Sequence, residues 1–280
     1  MVLLNLVFLA IALNMAGCGG SDKKVDNYAL AMESLNNNQF FKAIDYFKKE
    51  MHNRPNDRDI LYNIGIAFKR LDMFDSALVY LQRARVLNVR DREINKELLN
   101  LCPIYGDFEG AINAIAVLVA TGDNEQMYYP LLAEYYFRKG ENGMAIKYLR
   151  LLIDQNPDDE KLYLRLAGLL TEENRHDEST ATLKTMLQKF KPSPEAYANL
   201  AINNIAQKKF DEAESNLRSS LTLNPDNAPV WINLANVLTI GDNIASKKEA
   251  LDIYKKYREQ APDYYKLDSI IPTLETELGE

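Results

Sequence analysis

The sequence repeats a pattern of residues every 34 positions. The segments FFKAIDYFKKE, FDSALVYLQRA and FEGAINAIAVL begin at Phe40, Phe74 and Phe108, and each has alanine at its fourth position. A small residue followed four positions later by a large apolar one forms a packed face of a helix. These pairs are Ala43 and Phe47, Ala77 and Leu81, Ala111 and Ile115, Ala145 and Leu149, Ser179 and Leu183, Ala213 and Leu217, and, three residues late, Ala250 and Tyr254.

A second small position lies twelve residues before each of the first six sites. Two helices approach closely only where neither presents a bulky side chain, so paired small residues mark a helix crossing. This position holds Ala31, Gly65, Ala133, Ala167 and Ala201, with Leu99 as the exception and Ala235 in the seventh unit. Glycines between the helices (Gly106, Gly140, Gly241) and prolines after them (Pro55, Pro157, Pro225, Pro262) predict a series of helical hairpins.

The composition argues against several classes of function. The net charge of -7, without a local cluster of Lys or Arg, argues against a nucleic-acid partner. The two cysteines and two histidines are too far apart in sequence to suggest a metal site. There is no glycine-rich phosphate loop and no nucleophile elbow. We therefore expect no enzyme activity, no catalytic residues, no metal and no cofactor.

The N-terminal segment MVLLNLVFLAIALNMAGCGG differs from the repeats. It is apolar and uncharged from Val2 to Gly17, and its length suits the apolar region of an export signal. Small residues directly before Cys18 resemble the lipidation site of bacterial lipoproteins, although Met15 stands where leucine is usual and no Lys or Arg precedes the apolar run. The resemblance implies a signal peptide at 1–17, a lipidated Cys18 and a tether over 18–23. The alternative is an uncleaved signal anchor with an incidental cysteine.

The 34-residue helix-turn-helix unit resembles the tetratricopeptide repeat. Trp231 even occupies the signature tryptophan position of the seventh copy, whereas Leu99 departs from the small-residue rule. The resemblance implies an all-α, right-handed α-solenoid of about seven hairpins over 24–262, with repeats starting near 24, 58, 92, 126, 160, 194 and 228. Residues 263–280 have apolar positions at helical spacing and predict a C-terminal capping helix, kinked or broken at Pro272.

The resemblance also implies that the first helix of each hairpin lines a concave groove that binds partners. The groove residues assigned in this way are Tyr28, Tyr62, Ile66, Lys96, Asn100, Phe137, Arg138, Lys161, Arg165, Ile202 and Ile232. This groove would be apolar at both ends and polar in its centre. The alternative is that some of these side chains only fill gaps between neighbouring hairpins.

Four of these residues also match a carboxylate-binding clamp found in some tetratricopeptide-repeat proteins. Lys96 and Asn100 fall on its first pair of positions, and Lys161 and Arg165 on its last pair. Leu131 stands where the clamp has its middle asparagine, and Glu134 lies nearby. Converging charged donors suit a carboxylate. The alternative is that the four are ordinary polar surface residues.

Two functional hypotheses follow from these resemblances. The first is a non-enzymatic, lipid-anchored scaffold that binds envelope proteins or peptides through its groove, in outer-membrane or pilus assembly. It would be held by its lipid in the cell envelope, at the periplasmic face of the outer membrane or at the cell surface. The second is a ligand-binding accessory lipoprotein of a solute-transport system. An enclosed apolar pocket would favour the second, and an open groove the first.

Overall fold

A computed structural model describes residues 26–258 and 267–279 of the 280-residue chain. The predicted signal peptide, Cys18, its tether and Pro262 lie outside the described residues. The chain divides into two compact units, Met1–Asp123 and Asn124–Glu280, which we call the first and second units. In the described ranges every regular element is helical, so the all-α prediction is confirmed.

The described residues form fifteen α-helices. The first unit contains α1 (Asn27–Asn36), α2 (Phe40–Met51), α3 (Arg58–Arg70), α4 (Phe74–Leu87), α5 (Arg92–Leu101) and α6 (Phe108–Ala120), with a short 3-10 helix at Cys102–Tyr105. The second contains α7 (Tyr129–Arg138), α8 (Asn142–Gln155), α9 (Glu160–Glu172), α10 (His176–Lys189), α11 (Pro194–Ala206), α12 (Phe210–Leu223), α13 (Ala228–Leu238), α14 (Ile244–Tyr257) and α15 (Leu267–Leu278), with a 3-10 helix at Glu125–Tyr128.

Each odd-numbered helix from α1 to α13 pairs with the even-numbered helix after it to form a hairpin. Side chains before most of the first helices accept hydrogen bonds from free backbone N–H groups in the first turn, which fixes where these helices begin. The capping residues are Asp26, Asp57, Asp91, Asp159, Ser193 and Asn227. Hairpins two, three, five, six and seven consequently begin at Arg58, Arg92, Glu160, Pro194 and Ala228.

A left-handed residue lies in the turn of every hairpin. Asn38, Asp72, Gly106, Gly140, Asn174, Lys208 and Gly241 have φ between 56° and 90°. In the first six hairpins the N–H of the next residue donates to a carbonyl five positions earlier, as from Gln39 to Ser34 at 2.8 Å. This is the Schellman ending of a helix. It reverses the chain at the same point of each repeat, so successive hairpins present their turns at the same edge of the stack within a unit.

The small positions found in the sequence lie at the centres of the hairpins. Ala43, Ala77, Ala111, Ala145, Ser179, Ala213 and Ala250 are all completely buried. The large residues four positions later are buried as well. Leu99 is only half-buried, and its helix ends soon after it, at Leu101 before Pro103. The third hairpin therefore departs from the others where the sequence also departs.

A buried polar cluster joins the fifth and sixth hairpins. The Asn203 side-chain amide donates to the Ser179 hydroxyl at 2.8 Å, and this hydroxyl donates to the Ala167 carbonyl at 2.9 Å. The Thr171 hydroxyl lies 2.9 Å from the side-chain oxygen of Asn203. Asn203 and Ser179 are completely buried, so these bonds satisfy groups that water does not reach.

Helix α15 packs against α14 and covers the end of the second unit. Leu267, Ile271 and Leu274 are buried in the same cluster as Tyr254 and Tyr257. Ion pairs from Lys247 to Glu277 and from Lys255 to Glu275 connect the polar margins of the two helices. The helix continues through Pro272, so it is not broken there, and a kink at this residue stays a prediction. Pro272 is exposed, which lets water satisfy the carbonyl that the proline cannot bond.

Candidate partner-binding face

Tyr62 and Ile66 lie one turn apart on α3 in the first unit, and both are half-buried. The guanidinium carbon of Arg58 lies 5.1 Å from the centre of the Tyr62 ring. Burial, followed by the charges of Glu97 and Glu93, raises the pKa of Tyr62. The phenol therefore stays neutral, and a partner meets it as a hydrogen-bonding group on an apolar ring.

Tyr28 is held within its own hairpin. Its ring meets the Phe47 ring edge to face, with centroids 5.8 Å apart, and the Arg54 guanidinium carbon lies 5.1 Å from its centroid. Sequence analysis left two interpretations of Tyr28 open, a groove contact and a side chain that fills a gap between hairpins. Tyr28 is half-buried, so part of its ring stays available to a partner.

Lys96 and Asn100, the first pair of the predicted clamp, are exposed one turn apart on α5. The Lys96 ammonium pairs with Glu93 of the same helix at 2.9 Å. An exposed pair of this kind is weak, since water and salt screen it. A partner carboxylate can therefore compete with Glu93 for Lys96.

In the second unit, Glu134 draws two of the predicted residues together, and a third lies beside them. Its carboxylate accepts from Arg138 at 2.7 Å and also pairs with Arg165 of the next hairpin. The Arg165 guanidinium carbon lies 5.9 Å from the centre of the Phe137 ring, close to the limit for a cation–π contact. Phe137 and Arg165 thus form one exposed surface across two hairpins.

Glu134 partly neutralises the positive charges of Arg138 and Arg165. The hydrogen bond from Arg138, and then that from Arg165, lower the pKa of Glu134 against the opposing effect of its partial burial. Lys161, one turn before Arg165 on α9, is exposed and forms no ion pair with the described residues. Lys161 is therefore the clearest unneutralised cation of the predicted set in this unit.

Ile202 and Ile232 differ in exposure, although the sequence assigned both to the groove. Ile202 on α11 is 40% exposed and is available to a partner. Ile232 on α13 is 1% exposed, in the cluster that contains Ile271 and Leu274 of α15. Its assignment as a surface contact is therefore wrong, because the seventh hairpin and the capping helix bury this side chain.

The four clamp residues divide between the two units, two in each, and their joint action on a carboxylate stays a prediction. Sequence spacing placed Glu134 nearby but did not show that it binds two arginines. The signal available was its place four residues before Arg138, a favourable spacing for an ion pair on a helix. In the described ranges no group of His, Cys, Asp and Glu is arranged to hold a metal ion.

The second unit also has open clefts on its surface. One of about 370 Å³ lies between α8, α9 and α10, with Ile153, Tyr163 and Thr185 in its lining. Another of about 290 Å³ lies between α13, α14 and α15, lined partly by Asn236, Tyr254 and Glu277. Both are open to solvent. Among the described helices, none is long and apolar enough to cross a bilayer.

Comparison with known families supports the repeat pattern. Residues 136–201 and 194–227 match two models that are both described as tetratricopeptide repeat. Residues 136–227 are therefore similar to tetratricopeptide repeats. These TPR matches cover hairpins of the second unit, and the same hairpin geometry, with its left-handed turn residue, recurs in the first unit.

Individual relatives are distant. Superkiller protein 3 of Schizosaccharomyces pombe is 28% identical over 110 residues, which are 39% of this chain and 8% of that protein. The chain thus spans a small fraction of that relative. Among solved structures, one similar chain is YrrB, described as a TPR protein with an unusual peptide-binding site. It is 15% identical, the match covers 66% of this chain and 95% of YrrB, and the TM-score is 0.46. A TPR protein from Parabacteroides merdae is 15% identical. The match covers 89% of this chain and 97% of that protein, and the TM-score is 0.43.

Proposed function

We propose that this protein is a non-enzymatic, lipid-anchored TPR scaffold that binds protein or peptide partners in the bacterial cell envelope. One observation carries the binding proposal. The first helices of hairpins four to six expose Phe137, Ile202 and the unpaired Lys161 on one unit. Exposed apolar side chains bordered by charge are typical of partner surfaces.

Helical repeats suit this task because they hold contact residues on a rigid frame. A partner segment that lies along the first helices loses conformational entropy on binding. The scaffold is already ordered, so it adds little to this cost. Phe137 and Ile202 would supply apolar contact area. Lys161 would fix the register of the segment by pairing with an acidic group, and Arg165 would help once Glu134 releases it.

The location rests on the N-terminal sequence. An apolar segment that ends in small residues before Cys18 supports export and lipidation, and outer-membrane or pilus assembly is the setting that this resemblance favours. An accessory role in solute transport calls for an enclosed site for a small molecule. The two clefts described above are open, so we favour the scaffold.

The binding proposal is tested with a single charge reversal and a matched control. Lys161→Glu places a negative charge on the proposed face, and Lys184→Glu does so on α10, the second helix of the same hairpin. Both lysines are exposed, so neither change is expected to unfold the protein. Partners are crosslinked in intact membranes, identified by mass spectrometry and then purified for affinity measurements.

We expect Lys161→Glu to weaken binding of a purified partner at least about tenfold, the effect of losing about 1.4 kcal/mol. Lys184→Glu should bind like the wild type, and Ile202→Asp should also weaken binding. If all three folded variants bind the partner equally, the first-helix face is not the binding site.

The anchor is tested separately. Cys18→Ser should abolish incorporation of radioactive palmitate and leave the precursor uncleaved or released from membranes. Palmitate labelling that persists in this variant would show that Cys18 is not the lipidated residue.

A further inference from the structure

Exposed apolar side chains lie at three consecutive hairpin turns of the first unit. Phe41, Met73, Ile104 and Tyr105 are 69%, 41%, 60% and 43% exposed. All four lie close to the left-handed residue of their turn, in a stretch that runs from two residues before it to three residues after it. In hairpins four to six the same stretch holds no exposed large apolar side chain, whereas the seventh turn exposes Ile240 and Ile244. Exposure at these turns is therefore a feature of particular hairpins rather than of the repeat.

The three turns belong to one surface. The first unit stacks its hairpins in the same orientation, so their turns follow one another along one edge. Desolvation, and after it the neighbouring Asp75 carboxylate, raises the pKa of the Tyr105 phenol, so the third turn lies beside the helix after the second turn. We call the surface formed by Phe41, Met73, Ile104 and Tyr105 the turn edge.

The charges beside the turn edge indicate what kind of surface could cover it. Three exposed carboxylates and two exposed cations lie near these turns: Asp72, Asp75 and Glu109, and Lys42 and Arg70. This balance gives no attraction for an anionic surface. Contact must come from the aromatic and aliphatic side chains, and such side chains partition into the interfacial region of a bilayer.

The length of the N-terminal segment permits this contact. Helix α1 begins at the edge opposite the turns and, with ten residues, spans about 15 Å. The nine residues from Cys18 to Asp26 can extend to about 30 Å. A lipid on Cys18 can therefore lie in the same bilayer surface that meets the turn edge.

We propose that the turn edge of the first unit rests on the surface of a zwitterionic bilayer and orients the anchored protein. This inference rests on the lipid anchor of the proposed function. The apolar contact of the turn edge adds to the membrane affinity that the acyl chain supplies. It also limits the rotation of the first unit about its tether. It uses a different surface from the first-helix face that we assign to partners.

The test places an environment-sensitive dye on a cysteine at the turn edge. Ile104→Cys reports on the turn edge, and Val86→Cys, 79% exposed at the end of α4, is the control. Cys102 is buried and should not compete for the dye. One series uses the lipidated protein in phosphatidylcholine vesicles. The other uses residues 18–280 with Cys18→Ser, tethered by an N-terminal hexahistidine to vesicles that contain a nickel-chelating lipid.

We expect a blue shift in emission, and quenching by brominated acyl chains, at position 104 but not at position 86 in both series. Phe41→Ser with Met73→Ser should remove the shift at position 104, and high salt should not. Equal signals at the two positions, or none at either, overturn the proposal. A shift that needs added envelope protein also overturns it, because a protein then covers the turn edge. If lipidation fails but the nickel-tethered series shows the shift, the anchor proposal falls and the bilayer contact stands.

Discussion

At the scale of single residues, two glycines inside first helices have opposite surroundings. A β-carbon on Gly65 would lie 2.7 Å from Cγ of Leu81 in the facing helix, whereas a β-carbon on Gly168 would meet nothing within 4 Å. We expect Gly65→Ala to lower the free energy of unfolding by about 1–3 kcal/mol through overpacking. Gly168→Ala should raise it by about 0.5–1 kcal/mol, because alanine favours the helix. Urea denaturation measures both, and equal effects would contradict the close crossing at Gly65.

Cys102 provides a second residue-scale prediction. Burial, and after it the neighbouring Asp107, raises the pKa of this thiol to about 12. In a Cys18→Ser background at pH 8, Cys102 should therefore react with iodoacetamide far more slowly than an added surface cysteine at Val86→Cys, because the thiolate is the nucleophile. Urea should abolish the protection.

The same shift in the Cys102 pKa has a consequence for stability. In the unfolded chain the thiol loses its proton near its ordinary pKa of 9.0, while the folded protein keeps it to about 12. The folded state is thus favoured below pH 9, and this contribution is lost as pH rises from about 9 to 12. Cys102→Ala should show a smaller loss of stability over that window. An identical decline in both proteins would contradict the raised pKa.

At the scale of elements, the turn geometry can be tested at Lys208. Lys208 has a φ of 60°, whereas the third, fourth and seventh turns have glycine at this point. A side chain in the left-handed region costs about 1 kcal/mol. Lys208→Gly should therefore raise the free energy of unfolding by about 0.5–1 kcal/mol, and Gly140→Ala should lower it by about 1–2 kcal/mol. Lys209→Gly, at a φ of -92°, is the control and should give no gain.

Elements were more predictable from the sequence than contacts between them. The spacing of residues such as Ala77 and Leu81 predicts the hairpins because every repeat must solve the same packing problem. Glu134 and Arg165 are 31 positions apart, and no periodicity specifies that they pair. Ile232 was misassigned because position within a repeat does not show that a helix after the last repeat buries it. The turn edge was missed for a similar reason, since it deviates from the repeat.

At the scale of the whole molecule, stability should depend on position within each unit. In the second unit each hairpin contacts mainly its neighbours, so damage to α15 should affect the adjacent hairpin first. Ile271→Ser with Leu274→Ser should lower the stability of α13 and α14 by several kcal/mol, about 2–5 kcal/mol for each large side chain removed. Hydrogen exchange should show lost protection there and unchanged protection in α1 to α6.

The control for the cap variant is Thr276→Ala, on the exposed side of α15, which should leave exchange unchanged. If the double variant loses protection uniformly over all helices, the chain unfolds as one cooperative unit. If its protection does not change at all, α15 is not the cap of the stack.

The buried polar cluster between the fifth and sixth hairpins bears on how such a chain avoids misfolding. Similar repeats can exchange partners, within one chain or between two chains, and pair one repeat out of register. A sixth hairpin displaced by one repeat would bring Asn203 against Phe137 and Ala145 in place of Thr171 and Ser179. Its amide would then be buried without a partner, at a cost of about 1–3 kcal/mol. Apolar contacts tolerate such a slip, so this polar junction disfavours the wrong pairing during folding and gives the repeats a fixed order.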